Sequence, residues 1–244
     1  MMSTEIIPIP GNSQGNSGVI CNSVLTIPVA PRANARIRFS SLEKKASPVL
    51  LPEDALRWLQ DQLDGGTIVE KVELGGPGDP LVTIDQTIET ARLIKLHHPE
   101  LHLSIQSLGI GGEKYADQLL QVGISHIELL IDALDTEILK KLYAWVRPGF
   151  KTLPLPEAVE ILKKEQEKAI RAFKDAGMQV TVITTLYPDN NIDHIEKIGK
   201  VLAKKGVDEM ILIPHTSCED AEIVLNPVDA KTIQEVSKEV AKHI

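Results

Sequence analysis

Short apolar runs alternate with amphipathic helical patterns along this chain, and this alternation constrains the fold more than any other feature. The runs are apolar at nearly every position, as is typical of buried strands in a parallel sheet. Parallel strands joined in this order need crossover connections that lay helices over the sheet. Six strands are predicted, at residues 24–30, 68–74, 101–106, 124–131, 179–186 and 207–213.

The helical segments begin and end at recognisable residues. Pro52 followed by two acidic residues is typical of a first helical turn, and Gly65 ends that pattern. Pro156 begins a longer helix, which Gly177 closes. Further helices are predicted at residues 84–97, 113–122, 136–143, 192–205 and 227–242.

Six strand–helix units favour an α/β fold of the open, partial (β/α)6 barrel type, a parallel sheet covered by helices. A doubly wound sheet has the same element order and stays open as an alternative. A length of 244 residues is sufficient for one large domain with a substantial core. We therefore predict a single domain over residues 23–244, preceded by a flexible tail over residues 1–22.

Composition excludes several classes of protein. A formal net charge of -8 argues against a general nucleic-acid or anionic-membrane binder. No apolar run reaches membrane-spanning length, and the first residues lack the apolar centre of a signal peptide. The two cysteines, Cys21 and Cys218, are too few for a disulfide framework, so we expect free thiols in a cytoplasmic protein.

A glycine-rich loop follows the second predicted strand, Leu-Gly-Gly-Pro-Gly-Asp-Pro-Leu at residues 74–81. It resembles the S-adenosylmethionine-binding loop of the radical SAM superfamily, in the form found in nitrogenase-cofactor maturases of the NifB type. Further similar segments follow in the same order, at residues 27–31, 102–109, 143–147, 177–188 and 212–214. The resemblance implies a partial barrel of radical SAM type over residues 24 to 240.

The sequence departs from this resemblance at the positions that would bind the iron–sulfur cluster. Ala33, Ile37 and Ser40 occupy the positions of the family's three cluster cysteines. These side chains offer no thiolate to a [4Fe–4S] cluster, and radical cleavage of S-adenosylmethionine needs an electron from that cluster. We expect the isolated chain to carry no cofactor and to lack radical SAM activity.

The resemblance also marks Gly75, Gly76, Pro77, Gly78 and Asp79 as the candidate cofactor-binding residues. Backbone carbonyls of this loop could still hold the amino group of S-adenosylmethionine. The alternative is an inherited tight turn, because glycines meet backbone requirements with or without a ligand.

Two positively charged segments are candidate docking sites for a protein partner. Arg32, Arg36 and Arg38 give the former cluster loop a local positive charge, and Trp145 with Arg147 precedes an irregular segment. The alternatives are a solvated loop for the first segment, and for the second a tryptophan that packs a helix.

His215 and Cys218 follow the last predicted strand and are the weak candidates for metal ligands. Two ligands are too few for a closed site, so no metal is predicted. No catalytic residue is assigned, because no Ser-His-Asp order, P-loop lysine or zinc-spaced Cys/His set is present.

We therefore expect a subunit without a cluster, non-catalytic or repurposed, that serves in metallocofactor biosynthesis, cluster carriage or enzyme activation. Its partners would be proteins of a metalloenzyme maturation complex. The alternative is a stand-alone enzyme, or a protein that binds S-adenosylmethionine or another anionic ligand, and uses Asp79, Asp132 and the arginines at the barrel mouth for other chemistry.

Overall fold

The computed structural model describes residues 4–5, 24–42, 48–149 and 153–243. Nearly all of the predicted tail, including Cys21, lies outside these residues, so the boundary at residue 23 stays a prediction. None of the described helices is both long enough and apolar enough to cross a membrane.

All six predicted strands are present, with ends that shift by up to three residues. In addition, the described residues include a two-residue strand near the N-terminus and two strands that belong to a separate ribbon. The strands are β1 (Thr4–Glu5), β2 (Val24–Pro28), β3 (Ala35–Ile37), β4 (Lys71–Gly75), β5 (His102–Ser107), β6 (Ile124–Leu130), β7 (Tyr143–Val146), β8 (Gln179–Leu186) and β9 (Glu209–Pro214).

The main sheet is parallel throughout and runs in the order β1-β9-β8-β6-β5-β4-β2. The two ends of this order, β1 and β2, do not pair with each other, so the sheet is open. This arrangement confirms the partial barrel with a parallel sheet and rules out a closed eight-unit barrel.

Helices cover one face of the sheet. Alternate strand residues such as Ile27, Leu74 and Leu103 are fully buried against helical side chains such as Leu59 and Ile94. Since successive side chains point to opposite faces, the residues between them line the other side, which we call the inner face. The helices are α1 (Pro52–Asp64), α2 (Ile84–His97), α3 (Gly112–Gln121), α4 (Thr136–Leu142), α5 (Leu155–Asp175), α6 (Ile195–Lys204) and α7 (Ala230–Val240), with a 3-10 turn at Ile192–His194.

One predicted boundary is wrong in an informative way. The helix expected over residues 136–143 ends at Leu142, and Tyr143 begins strand β7, which pairs antiparallel with β3. Strand β3 lies in the segment that follows β2, so this two-stranded ribbon ties together two loops at the carboxyl ends of the sheet. The sequence pattern predicts no strand in either segment.

Candidate functional site

The glycine loop packs directly on the backbone that leaves β2. The carbonyl of Gly75 accepts hydrogen bonds from the amides of Val29 (2.8 Å) and Ala30 (3.1 Å). In return, the Gly78 amide donates to the Ala30 carbonyl (2.9 Å), and the Asp79 amide donates to the Arg32 carbonyl (3.0 Å). These backbone groups of the loop are therefore committed to the protein itself.

The glycines permit this close approach. A Cβ at Gly78 would lie 2.3 Å from the carbonyl carbon of Arg32, and one at Gly76 would lie 2.8 Å from the Ala30 oxygen. Gly76 also has a φ of +149°, which other residues rarely adopt. Both glycines are required by local packing, and the exposed tip at Gly76 and Pro77 faces solvent.

The Asp79 carboxylate is buried and is occupied by hydrogen bonds from within the protein. Its carboxylate accepts hydrogen bonds from the side chains of Asn34 (3.0 Å) and Ser107 (2.8 Å). The amides of Leu81 and Leu108 donate to it as well, both at 2.9 Å. Burial raises its pKa above the ordinary value, whereas these four donors favour the charged form. Asp79 thus joins the loops that follow β2, β4 and β5.

Residues 35–42, which we call the strap, cross the mouth of the barrel between two neighbours. On one side, β3 pairs with β7, and the Arg38 amide donates to the Leu142 carbonyl (2.9 Å). On the other side, Ser41 forms a β-bridge with Ala221, and the Ile223 amide donates to the Arg38 carbonyl (3.1 Å). The strap is hydrogen-bonded along both edges.

Phe39 of the strap fills the mouth. It is 3% exposed, and its ring lies 5.3 Å from Tyr187 and 6.2 Å from His215 between centroids. Tyr187 and His215 follow β8 and β9 at the carboxyl ends of these strands, where ligands of such folds bind. An aromatic cluster therefore occupies this part of the mouth.

The five docking candidates lie on and beside the ribbon. Arg36 and Arg38 both pair with Glu222, at 2.6 and 3.0 Å, and Arg38 also donates to the Tyr143 carbonyl. Arg36 and Trp145 are register partners across β3 and β7.

Arg147 stacks over the Trp145 ring at 4.8 Å, and its amide donates to the carbonyl of Asn34, two residues from Arg32. Arg32 and Arg147 are exposed and form no ion pair with a described residue. The structure thus brings together two sequence segments that lie more than a hundred residues apart.

Asp132 is a buried carboxyl group at the mouth with a single hydrogen-bond donor. It follows β6, is 7% exposed, and accepts one hydrogen bond, from the Thr185 amide (2.8 Å). Burial raises its pKa from 3.8 to about 7. Its charge in turn helps to raise the pKa of the buried phenols of Tyr143 and Tyr187, after the larger effect of their own burial.

His215 and Cys218 offer no metal centre in this arrangement. The ring of His215 is buried in the aromatic cluster, and burial lowers its pKa. The Cys218 thiol donates to the Asp220 carboxylate (3.0 Å), a hydrogen bond that raises its pKa and disfavours the thiolate that binds metals. Within the part of the chain that the structure describes, no group of three His, Cys, Asp or Glu side chains could hold a metal ion.

An iron–sulfur cluster does not fit the strap. Residues 28–42 contain no Cys, His, Asp or Glu. Ala33 is exposed, Ile37 belongs to the ribbon, and the Ser40 hydroxyl donates to the carbonyl of Ile37 (2.7 Å). The donor set required by a cluster is therefore absent where the resemblance would place it.

Sequence reasoning missed several members of this site. Glu222 and Tyr187 carry no motif, and their roles depend on contacts across more than a hundred residues. One local signal was available for β7, because three of its four residues, Tyr143, Trp145 and Val146, are aromatic or β-branched and favour a strand.

A family model for the radical SAM superfamily matches residues 39–202. The chain belongs to this superfamily. The matched region starts at Phe39, downstream of Ala33 and Ile37, so it leaves the substituted cluster positions largely outside.

Curated relatives point to one branch of the superfamily. The chain is 29% identical over 227 residues to the FeMo cofactor biosynthesis protein NifB of Chlorobaculum tepidum, covering 88% of this chain and 53% of that protein. It is 29% identical over 228 residues to NifB of Methanocaldococcus jannaschii, covering 89% of this chain and 75% of that protein. The chain thus spans about half the length of the first of these relatives.

A solved structure supports the fold. A radical SAM methyltransferase from Sphaerobacter thermophilus superposes with a TM-score of 0.69 at 13% identity, covering 90% of this chain and 63% of that one. At this identity the likeness concerns the fold alone.

Proposed function

We propose that this chain is a NifB-like radical SAM homologue without a cluster, acting as a non-catalytic or repurposed subunit in metallocofactor biosynthesis, cluster carriage or enzyme activation. One observation carries the proposal. The segment that corresponds to the family's cluster loop, residues 28–42, has no Cys, His, Asp or Glu, and its second part forms the strap, which places Phe39 in the mouth. The relatives named for cofactor biosynthesis supply the setting.

The first test asks whether the chain holds iron. We expect no site-differentiated [4Fe–4S] cluster after anaerobic reconstitution, measured as iron and sulfide per chain and by EPR with and without S-adenosylmethionine. The matched control is the triple variant Ala33→Cys, Ile37→Cys and Ser40→Cys, which restores three thiols. A wild-type EPR signal that responds to S-adenosylmethionine would refute the proposal.

The partner-binding surface of this subunit is the ribbon with its arginines. Four of the chain's seven arginines, Arg32, Arg36, Arg38 and Arg147, gather here in a protein of net charge -8. Guanidinium groups bind carboxylates in a bidentate manner, and Trp and Arg dominate binding energy at interfaces. The chemistry therefore suits an acidic surface on a protein of metallocofactor maturation.

This surface is tested with the two arginines that form no internal ion pair. Arg32→Ala with Arg147→Ala should weaken recovery of maturation proteins in anaerobic purification from the native source, with a loss that grows as salt is lowered. The control is Arg57→Ala with Arg171→Ala, two exposed arginines on α1 and α5. Equal recovery by both double variants would remove the ribbon as the docking surface.

Asp132 favours one alternative, an enzyme that uses the mouth for acid–base chemistry. A buried carboxyl with a pKa of about 7 is suited to proton transfer at neutral pH. In the subunit proposal, Asp132→Asn leaves partner recovery unchanged. A change in a ligand-dependent activity with this variant would favour the alternative.

A further inference from the structure

The backbone that carries Asp132 is fixed to the sheet. The Asp132 carbonyl accepts a hydrogen bond from the side chain of the buried Asn191 (2.9 Å). The amide of the preceding residue, Ile131, donates to the Ile183 carbonyl (3.0 Å), and the Ile131 carbonyl accepts from the Thr184 hydroxyl (2.7 Å). The loop after β6 therefore cannot carry the Asp132 carboxyl out to water without breaking these bonds.

Two tyrosines contact the strap and also lie close to Asp132. The Tyr143 carbonyl accepts a hydrogen bond from the Arg38 side chain (3.1 Å), and the Tyr187 ring packs on Phe39. The charge of Asp132 acts on both phenols and helps to raise their pKa. Both tyrosines, Phe39 and the residue after Asp132 belong to one buried apolar cluster. The strap is therefore part of the layer that separates Asp132 from solvent.

No cation among the described residues offsets the burial of Asp132. The phenols of Tyr143 and Tyr187 stay neutral because burial raises their pKa. His215 packs on Tyr187 at 5.4 Å between ring centroids, and burial lowers its pKa. Asp79, whose charge also acts on Tyr143, is itself a carboxyl group, and the side chains that α4 and α5 add to the cluster are apolar. An Asp132 carboxylate has one donor and no counterion here, so burial favours the protonated form.

The strap is held by a small number of contacts. Its charged side chains, Arg36 and Arg38, form partly exposed ion pairs with Glu222, and such pairs contribute little to stability. Phe39 is its most deeply buried side chain. The closed mouth also leaves the buried Nε2 of His215 without a hydrogen-bond partner among the described residues, and opening would hydrate this atom. Opening of the strap therefore disrupts much less structure than unfolding of the sheet.

We propose that the strap is a lid over the barrel mouth that opens when Asp132 loses its proton. The closed lid keeps the Asp132 carboxyl protonated and away from water, and the open lid admits water to the carboxylate, to both phenols and to His215. Opening and deprotonation therefore promote each other, as reciprocal linkage requires. The lid does not depend on the partner-binding role proposed for the ribbon, since Arg32 and Arg147, the two arginines that test that role, lie outside the strap.

The pKa of Asp132 in the two states fixes the direction of this response. Burial raises the pKa to about 7 under the closed lid, whereas access to water restores the ordinary value of 3.8. Between these values the open state binds fewer protons than the closed state, so the equilibrium constant for opening rises about tenfold per pH unit. Above a pH of about 7, Asp132 is ionised in both states and the constant levels off. The mouth is thus more accessible at neutral pH than in acid.

Hydrogen exchange of the Arg38 amide, which donates to the Leu142 carbonyl, measures the opening of the lid. Between about pH 4 and about pH 7, its protection factor should fall about tenfold per pH unit, while the Ile131 amide of the sheet stays better protected. Asp132→Asn should remove this pH dependence. Asp135→Asn, at the exposed cap of α4, is the control and should behave as the wild type does. A pH dependence that persists in Asp132→Asn, or equal protection of both amides at every pH, would overturn the lid.

A second measurement follows the titration of Asp132 itself, by NMR with 13C-labelled aspartate. Phe39→Leu weakens the closed lid and should shift the apparent pKa of Asp132 from about 7 toward 3.8. Phe173→Leu is the matched control, because Phe173 lies on α5 in the core cluster that the strap does not enter, and it should leave this pKa unchanged. An unshifted pKa in Phe39→Leu, or the same shift in both variants, would overturn the proposal.

Discussion

The helix-covered face of the sheet and the strap across its mouth are stabilised in different ways. The covered face consists of aliphatic and aromatic side chains such as Ile127 and Phe173, which are fully buried. The strap is held by backbone hydrogen bonds, by the half-exposed pair of Arg36 with Glu222, and by the ring of Phe39.

This difference separates the fold that the chain shares with its superfamily from the strap, which depends on residues particular to this chain. Apolar burial over many residues specifies the partial barrel and tolerates sequence change. The strap depends on a few specific contacts, so we expect it to contribute less to global stability than the covered face does.

The largest expected effect contrasts two phenylalanines. Phe173→Ala on α5 should lower the free energy of unfolding by about 3–5 kcal/mol, because the main sheet with its covering helices, which we call the framework, cannot collapse into the cavity. Phe39→Ala should cost less than half of that, since the strap can rearrange or open locally. Urea denaturation measures both. Equal losses would show that the strap belongs to the cooperative core and would break the comparison.

Asp132 should make a large contribution to the pH dependence of stability. Its pKa is about 7 when folded and 3.8 ordinarily, so the protonated form is favoured by folding, and stability is lost as pH rises between these values. The loss is up to about 4 kcal/mol, at about 1.4 kcal/mol per pH unit.

Asp132→Asn keeps an acceptor for the Thr185 amide and should flatten this loss. Glu73 adds a loss of the same sign, because its pKa is also raised to about 7. The contribution of Glu73 is the same in Asp132→Asn and in the wild type, so it cancels when the pH slopes of the two proteins are compared. Asp135→Asn, at the exposed cap of α4, is the control and should retain the wild-type slope. An unchanged slope in Asp132→Asn would contradict the assignment.

Asp79→Ala tests the hydrogen bonds by which Asp79 connects the loops that follow β2, β4 and β5. The variant leaves four buried donors without their acceptor, including the side chains of Asn34 and Ser107. We expect a loss of about 2–3 kcal/mol and faster hydrogen exchange at the amides of Leu81 and Leu108. Asp79→Asn, which keeps one acceptor oxygen, should lose less than Asp79→Ala. A neutral Asp79→Ala would mean that the loops are held by other contacts.

Gly78→Ala tests the contact of the glycine loop with the strand exit. The added Cβ would overlap the Arg32 backbone at 2.3 Å, and we expect a loss of about 1–3 kcal/mol from overpacking. Gly149→Ala meets nothing within 4 Å and is the matched control. If both variants are equally stable by thermal denaturation, the glycines are not retained for packing.

The sequence was sufficient to predict the framework. Strand runs and helix caps depend on neighbouring residues, so the order of β2, β4, β5, β6, β8 and β9 was predictable, with ends displaced by a few residues. The β3 and β7 ribbon was not predicted, since short antiparallel pairs depend on partners distant in sequence. The inner face was hidden for another reason. The strand runs are apolar at nearly every position, and this pattern does not single out Glu73 and Glu128, which alternate with core residues.

The candidate site was predicted in part. The glycine loop and the arginines are candidates because they form compact motifs in the sequence, and the structure places both at the carboxyl ends of the strands. Their internal partners were not found. Glu222 lies in a segment without any motif, and the fourfold hydrogen bonding of Asp79 depends on three loops that only the fold brings together.

The smallest expected effect concerns Glu222, which forms ion pairs with both Arg36 and Arg38. Glu222→Gln should lower the free energy of unfolding by no more than about 1 kcal/mol, because its side chain is 36% exposed and solvent screens the pair. The local effect should be larger than the global one. Hydrogen exchange at the Ile223 amide, which donates to Arg38, should speed up, since the strap opens without unfolding of the sheet.

Salt provides the control for this last variant. At 1 M salt, with a Debye length of about 3 Å, the difference between Glu222→Gln and wild type should largely disappear. Glu160→Gln, an exposed glutamate on α5, should leave exchange at Ile223 unchanged at either salt concentration. If Glu222→Gln destabilises the whole chain and its strap amides exchange only on global unfolding, the ion pair braces the fold. The strap and the framework would then form a single cooperative unit.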